Sequence, residues 1–307
     1  MAVYQVKHWI EMAGEVGKLT FPSGDVYEGT LREQLPHGHG TMIYSGENSR
    51  VYVGNWVDGT RRGKGVLTWP DGTKYIGDFR EDIGIGKIDS TKGLDDSMNG
   101  YGTLLREDGS CCEGMFYLGE LSGQGKMVLE DHEIYVGTWR KYLAHGVGTY
   151  IWPNGDIFTG EWEDDQIRGN GRVKSEDGIS YEGCWLNDEF NGFGTYTWPS
   201  GSIYEGDWIN RKREGYGRMR YNDSVYEGAW AGNLRHGYGI QRWEIGSCYE
   251  GEWVKGQRDG QGRMHYQDGS IYEGSWQDNM RHGHGTIRDS NGEVTEGEFL
   301  HDKKEVC

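Results

Sequence analysis

Four sets of residues in this 307-residue chain are of types that carry chemistry in other proteins. His37, His39, His145, His236, His282 and His284 all stand beside Gly-x-Gly pairs. Imidazoles in such number suggest a metal centre, but a metal needs its ligands to converge on one point. Residues repeated along hairpin linkers do not converge, so these read as turn and surface histidines. The adjacent carboxylates Asp95-Asp96 and Asp164-Asp165 have the composition of a general acid and base. That work needs a water-poor cleft to separate two pKa values, and solvated turns are the simpler reading. Gly38-His-Gly40 and its repeats superficially match phosphate-cradling loops, yet no Gly-x-x-x-x-Gly-Lys-Ser/Thr occurs and no helix is expected to follow. Cys111 and Cys112 are neighbours whose side chains, on a strand, face opposite ways, which disfavours a shared disulfide or metal. The expectation is a chain with no enzyme activity, metal or cofactor.

Composition narrows the class further. Only 35% of residues are apolar, while glycine contributes 53, a pairing that suits a repeat array better than an ordinary globular core. The formal charge of -17 opposes attraction to nucleic acid and to anionic lipid. Five cysteines, an odd and unevenly spread number, point to a reducing compartment. The first ten residues lack a long apolar run, and no stretch reaches the roughly 20 apolar residues of a membrane span. A cytoplasmic protein, neither secreted nor membrane-spanning, is expected.

The dominant pattern is Tyr-x-Gly-x-Trp followed by Gly-x-Gly. Units begin at Tyr27, Tyr52, Tyr75, Cys112, Tyr135, Phe158, Tyr181, Tyr204, Tyr226, Tyr249, Tyr272 and Thr295, and eight of the eleven intervals are 23 residues. In the unit from Tyr52, two strands are joined by a link spanning Val57 to Arg62, with Pro70-Asp71-Gly72 as the next turn. Alternation puts Tyr52, Gly54 and Trp56 on one face with Gly63, Gly65, Leu67 and Trp69. Glycine leaves room that a facing ring fills, so this face packs on itself without a second layer. Glu182, Glu205, Glu227, Glu250 and Glu273 alternate onto the other, solvated face. The fold class is therefore all-β, an elongated single-layer antiparallel β-hairpin array, a twisted ribbon or half-pipe of roughly 110 Å before curvature.

Tyr249-Glu-Gly-Glu-Trp253 followed by Gly260-Gln-Gly262 resembles the MORN repeat, and the resemblance recurs in register along nearly the whole chain. It implies an assembly platform of the kind found in radial spoke heads of cilia and flagella, at membrane junctions and in cytoskeletal collars. Leu31, Phe79, Phe116 and Phe299 replace the first-strand Trp, and Cys112 and Thr295 replace the leading aromatic, so weaker packing is expected there. The interval from Tyr75 to Cys112 is 37, which is 14 more than the usual 23, and a surface-loop insertion over residues 84–98 accounts for it.

Three segments follow: a cap or docking segment over residues 1–13, the array over 14–299, and a tail over 300–307 too short for a further domain. The expected function is a structural scaffold for partner subunits of an axonemal or cytoskeletal complex, with the radial spoke head of a cilium or flagellum as the expected assembly, located in the cytoplasm and axoneme, with homo-oligomers allowed. Trp9, Tyr181, Trp185, Tyr204, Trp208, Tyr226, Trp230, Tyr249, Trp253, Tyr272 and Trp276 are the candidate partner-contact residues. The alternative is a membrane-junction adaptor touching phosphoinositides through the basic linkers Arg61-Arg62-Gly-Lys64 and Arg211-Lys-Arg213.

Overall fold

Aromatic and β-branched residues alternating with polar ones favour half-buried strands. In the computed structural model, which describes residues 14–46, 49–80 and 98–305, the described chain forms 25 strands and no helix. Two compact units emerge, Met1–Pro153 with Trp162–Asp165, and Asn154–Glu161 with Gln166–Cys307. Within the first, consecutive strands from Glu15–Thr20 to Leu143–Ile151 pair antiparallel with one another. Within the second, the same holds from Gln166–Lys174 to Lys303–Lys304. Each is an antiparallel hairpin array with its core on one side of the sheet.

Two kinds of turn alternate. At Trp69–Thr73 the Gly72 amide donates to Trp69 O (3.1 Å) and the Trp69 amide to Thr73 O (2.9 Å), a three-residue loop closed by a left-handed glycine. This is the turn the Pro-x-Gly tripeptides foretell. The other is tighter than the expected link over Val57 to Arg62. Strand Val51–Val57 meets strand Thr60–Thr68 through Asp58-Gly59 alone, so Thr60, Arg61 and Arg62 belong to the second strand. Both turn residues have positive φ, 47° at Asp58 and 86° at Gly59, which is the twist a two-residue hairpin requires. Asn187-Asp188, Asn210-Arg211 and even Lys141-Tyr142 adopt the same left-handed pair, although none contains glycine.

The two glycines of each Gly-x-Gly have different tasks. In the pair Ile203–Ile209 with Lys212–Arg220, Gly206 faces Gly217 and Trp208 faces Arg213, so the second strand carries two extra residues between those pairs. Gly215, at φ 63°, absorbs that bulge. Gly217 instead makes room: a Cβ there would sit 2.3 Å from the Tyr204 hydroxyl oxygen, because the ring lies over the Gly206–Gly217 pair.

The insertion over residues 84–98 falls outside the described residues except for Met98, as do segment 1–13 and Trp9. Of the expected tail, Lys303–Lys304 forms a short strand beside Val294–Leu300. At Cys112, where the leading aromatic is missing, Leu121 fills the space and is fully buried. Tyr142 swings in from its turn to put its ring 6.3 Å from that of Phe116 and donates its hydroxyl to Gly119 O (3.1 Å). The nearby Trp139 Nε1 is buried without a hydrogen-bond partner, which marks this as the irregular point of the first unit.

Candidate functional site: an interaction face

The candidate rings form the core. Tyr181, Tyr204, Tyr226, Tyr249 and Tyr272 are 0% exposed, and Trp185, Trp208, Trp230, Trp253 and Trp276 are 2–7% exposed. Each tyrosine meets the tryptophan of its own unit and the equivalent ring of the next edge-on: Tyr226 is 5.1 Å from Trp230 and 5.4 Å from Trp253, Tyr249 is 5.2 Å from Trp253 and 5.3 Å from Trp276, and for Tyr272 the next ring is Phe299. Such contacts contribute about 0.5–1.5 kcal/mol each beyond area burial. Both polar handles are satisfied within the sheet, Tyr226 Oη donating to Ala229 O (2.9 Å) and Trp253 Nε1 to Gly239 O (3.2 Å). As partner contacts these ten residues offer almost no surface, because neighbouring units already cover them. Burial pushes the tyrosine hydroxyls up, Tyr272 to about 12.

Arginine completes the cover. Arg213, Arg235 and Arg258 stand opposite Trp208, Trp230 and Trp253 in register. Each guanidinium lies over the tryptophan of the following unit, at 4.4, 4.1 and 4.5 Å from the ring centroid. Each also donates to a carbonyl of the next two-residue turn, Asn233, Gly256 and Asn279, at 2.8 Å. Arg61 lies in the same way over the rings of Tyr52 and Phe79. The basic linkers are thus partly internal structure: Arg61 and Arg213 serve the core, Arg211 donates to Asp188 O (2.8 Å), and Lys64 pairs with Asp78 (3.0 Å).

The opposite face is open, and sequence reasoning assigned it only carboxylates. At the middle position of three successive Gly-x-Gly motifs it carries Phe193, Tyr216 and Tyr238, which are 56%, 58% and 57% exposed. Strand parity would have found them, since the residue between two inward glycines must point outward. Tyr216 Oη donates to Glu227 (3.2 Å) and Tyr238 Oη to Glu250 (2.8 Å). Asp207 stands opposite Phe193 in register and accepts the Tyr216 amide at 3.0 Å. Leu186, Ile209, Leu234 and Val254 add exposed aliphatic surface beside the turns.

The residues first singled out for chemistry are placed as follows. His37 contacts Asp58 (3.2 Å), His39 contacts Asn55 (3.5 Å), and His284 lies between Glu296 (3.0 Å) and Glu298 (3.2 Å). Those two carboxylates hold the His284 imidazole above its ordinary pKa. Among the described residues, no three or more His, Cys, Asp or Glu side chains gather as metal ligands. Asp164 and Asp165 form a two-residue turn, Asp164 binding Arg140 and Asp165 accepting the Ala144 amide (2.7 Å). Asp95 and Asp96 lie outside the described residues. Cys111 and Cys112 are both free thiols, and burial pushes Cys112 up to about 11.

An antiparallel hairpin repeat with a self-sealed Tyr–Trp ladder on one face defines a repeat-scaffold class of protein. The chain belongs to the MORN-repeat family, whose model matches residues 27–48, 52–74, 94–111, 112–133, 135–157, 158–180, 181–203, 204–224, 226–248, 249–271 and 272–294. Tyr75 lies outside these matches, yet its ring is fully buried and edge-on to Phe79 (5.2 Å) and Phe116 (5.0 Å), as in a regular unit. Similar curated proteins include human Alsin, 30% identical over 125 residues, which are 38% of this chain and 7% of Alsin. The ALS2 C-terminal-like protein of Bos taurus is 31% identical over 101 residues, covering 31% of this chain and 9% of that protein. Phosphatidylinositol 4-phosphate 5-kinase 1 of Oryza sativa subsp. japonica is 31% identical over 61 residues, covering 20% and 7%. The chain thus spans less than a tenth of the length of these relatives. Among solved structures, the TCP10 domain of Danio rerio CPAP in complex with a STIL peptide is 12% identical, with TM-score 0.38 over 78% of this chain and 97% of that one. The CPAP G-box domain gives TM-score 0.37 at 11% identity over 66% and 100%.

Proposed function

We propose that this chain is a non-enzymatic scaffold that holds other protein subunits on the open face of its sheet, within a cytoskeletal assembly. The single observation that supports this reading is the asymmetry of the two faces. One is closed by its own rings and arginines, while the other presents Phe193, Tyr216 and Tyr238 to solvent in a regular row. Exposed aromatics at fixed intervals are costly to leave in water and are typical of surfaces that are covered in use. As the particular assembly, we propose the radial spoke head of a cilium or flagellum, with the protein in the cytoplasm and axoneme. The resemblance to spoke-head MORN proteins motivates that choice.

The test is affinity capture of the tagged chain from ciliated cells at physiological salt, with flotation on phosphoinositide vesicles alongside. Axonemal subunits in the capture and protein absent from the vesicle fraction are expected. Flotation with membrane proteins and no axonemal subunits would replace the scaffold by the membrane-junction adaptor.

A further inference from the structure

The open aromatic row has a definite period. Phe193, Tyr216 and Tyr238 occupy equivalent positions on the strands Glu189–Thr197, Lys212–Arg220 and Leu234–Trp243, with one strand between each pair. Two inter-strand steps place successive rings about 10 Å apart. A chain crossing the strands must therefore present one side chain to each ring at that interval. A β-strand covers it in about three residues, but its third residue faces away. A polyproline-II segment has three residues per turn and advances about 9.3 Å per turn, so residues i, i+3 and i+6 all face the sheet.

Charge selects the side chains. Asp207 lies between Phe193 and Tyr216, Glu227 and Glu250 touch the two tyrosine hydroxyls, and Glu252 is opposite Tyr238 in register. Arg218, opposite Glu227, lies among them, with Arg220 and Arg242 further along the same strands, and the chain as a whole carries -17. A ring face beside a carboxylate attracts an ammonium or guanidinium. We infer that the row Phe193–Tyr216–Tyr238 docks an extended, polyproline-II-like protein segment bearing Lys or Arg at every third residue. This rests on the scaffold reading and names the partner's chemistry.

Fluorescence anisotropy of labelled peptides against the full chain tests it. A (Lys-Pro-Pro)4 peptide is expected to bind at least tenfold more tightly than an isomer with lysines at alternate positions, and (Glu-Pro-Pro)4 not at all. Binding should weaken steeply with salt. The triple variant Phe193→Ser, Tyr216→Ser, Tyr238→Ser is expected to lose at least tenfold in affinity with unchanged far-UV circular dichroism, while Tyr101→Ser, outside the row, binds normally. Equal binding of both lysine registers, or a folded triple variant that binds as well as the parent, would overturn the inference. If the triple variant nonetheless captures the same cellular subunits as the parent, the docking surface fails while the scaffold stands. A parent that captures nothing above a tag control removes both.

Discussion

Single atoms decide much of this architecture. At Gly217 an added methyl would collide with Tyr204, whose ring is held between Trp208 at 5.0 Å and Trp230 at 5.3 Å and cannot move aside. Gly217→Ala should cost about 3 kcal/mol or more, the upper range for overpacking. Gly246→Ala is a fair contrast: its Cβ would meet nothing within 4 Å, so only the left-handed φ of 91° opposes it. That costs about 1–2 kcal/mol. Urea unfolding of the two variants should rank them in that order, and equal midpoints would contradict the ring-over-glycine account. His284 gives a second residue-scale expectation. Its imidazole pKa is raised by Glu298 and Glu296, so the protonated form is favoured in the folded state. The contribution to stability is present in full below about pH 6.5 and is lost as pH rises through the higher folded value. NMR titration should find the His284 midpoint above the ordinary one and the double variant Glu296→Gln, Glu298→Gln bringing it down.

At the scale of the hairpin, tryptophan and arginine act as a pair across units. Trp253→Ala removes a large side chain from a packed site and should cost about 3–5 kcal/mol. Arg235→Met removes the cation 4.1 Å from that ring, the donor to Gly256 O, and the partner of the buried Gln241 (3.0 Å). About 1–3 kcal/mol is expected from the unpaired groups. Because the two side chains touch, the double variant should cost less than the sum, and strict additivity in chemical unfolding would show that the stacking carries no energy. The alternation of Tyr, Gly and Trp made the packed face legible, as did the Pro-x-Gly turns. What stayed hidden has physical causes. Lys141-Tyr142 and Asn210-Arg211 carry no glycine to announce a two-residue turn, because the register of the flanking strands imposes their positive φ. Arg213 reads as a basic linker until strand pairing sets it against Trp208. Large rings such as Tyr204 and Trp253 suggested a contact surface, yet their size is what seals them, and the smaller exposed row at Phe193 passed unnoticed beside them.

Across the whole molecule the repetition sums small electrostatic effects. Burial raises the pKa of the ladder tyrosines, Tyr135 and Tyr272 to about 12 and Tyr75, Tyr181, Tyr204, Tyr226 and Tyr249 further. The folded state thus keeps protons that the unfolded chain releases near pH 10. Stability is unaffected below about pH 10 and falls as pH climbs toward and past 12, and the chain's existing excess of acid groups adds repulsion. Phenolate absorbance and far-UV circular dichroism should therefore change together at high pH. Tyrosines that all ionise near pH 10 with the sheet intact would be incompatible with a sealed ladder.

Along the ladder a tyrosine such as Tyr75 or Tyr249 touches the Trp or Phe that ends the first strand of its own unit and the one that does so in the next. The strands Lys74–Phe79 and Met98–Leu105 keep the usual pairing, Tyr75 with Leu104 and Gly77 with Gly102, across the longest interval in the chain. A gene encoding such units can gain or lose one by unequal recombination, or accept foreign sequence inside a hairpin, without re-optimising any other. Copy number then sets the length of the sheet, while point substitution can rewrite the outward positions without disturbing the sealed face.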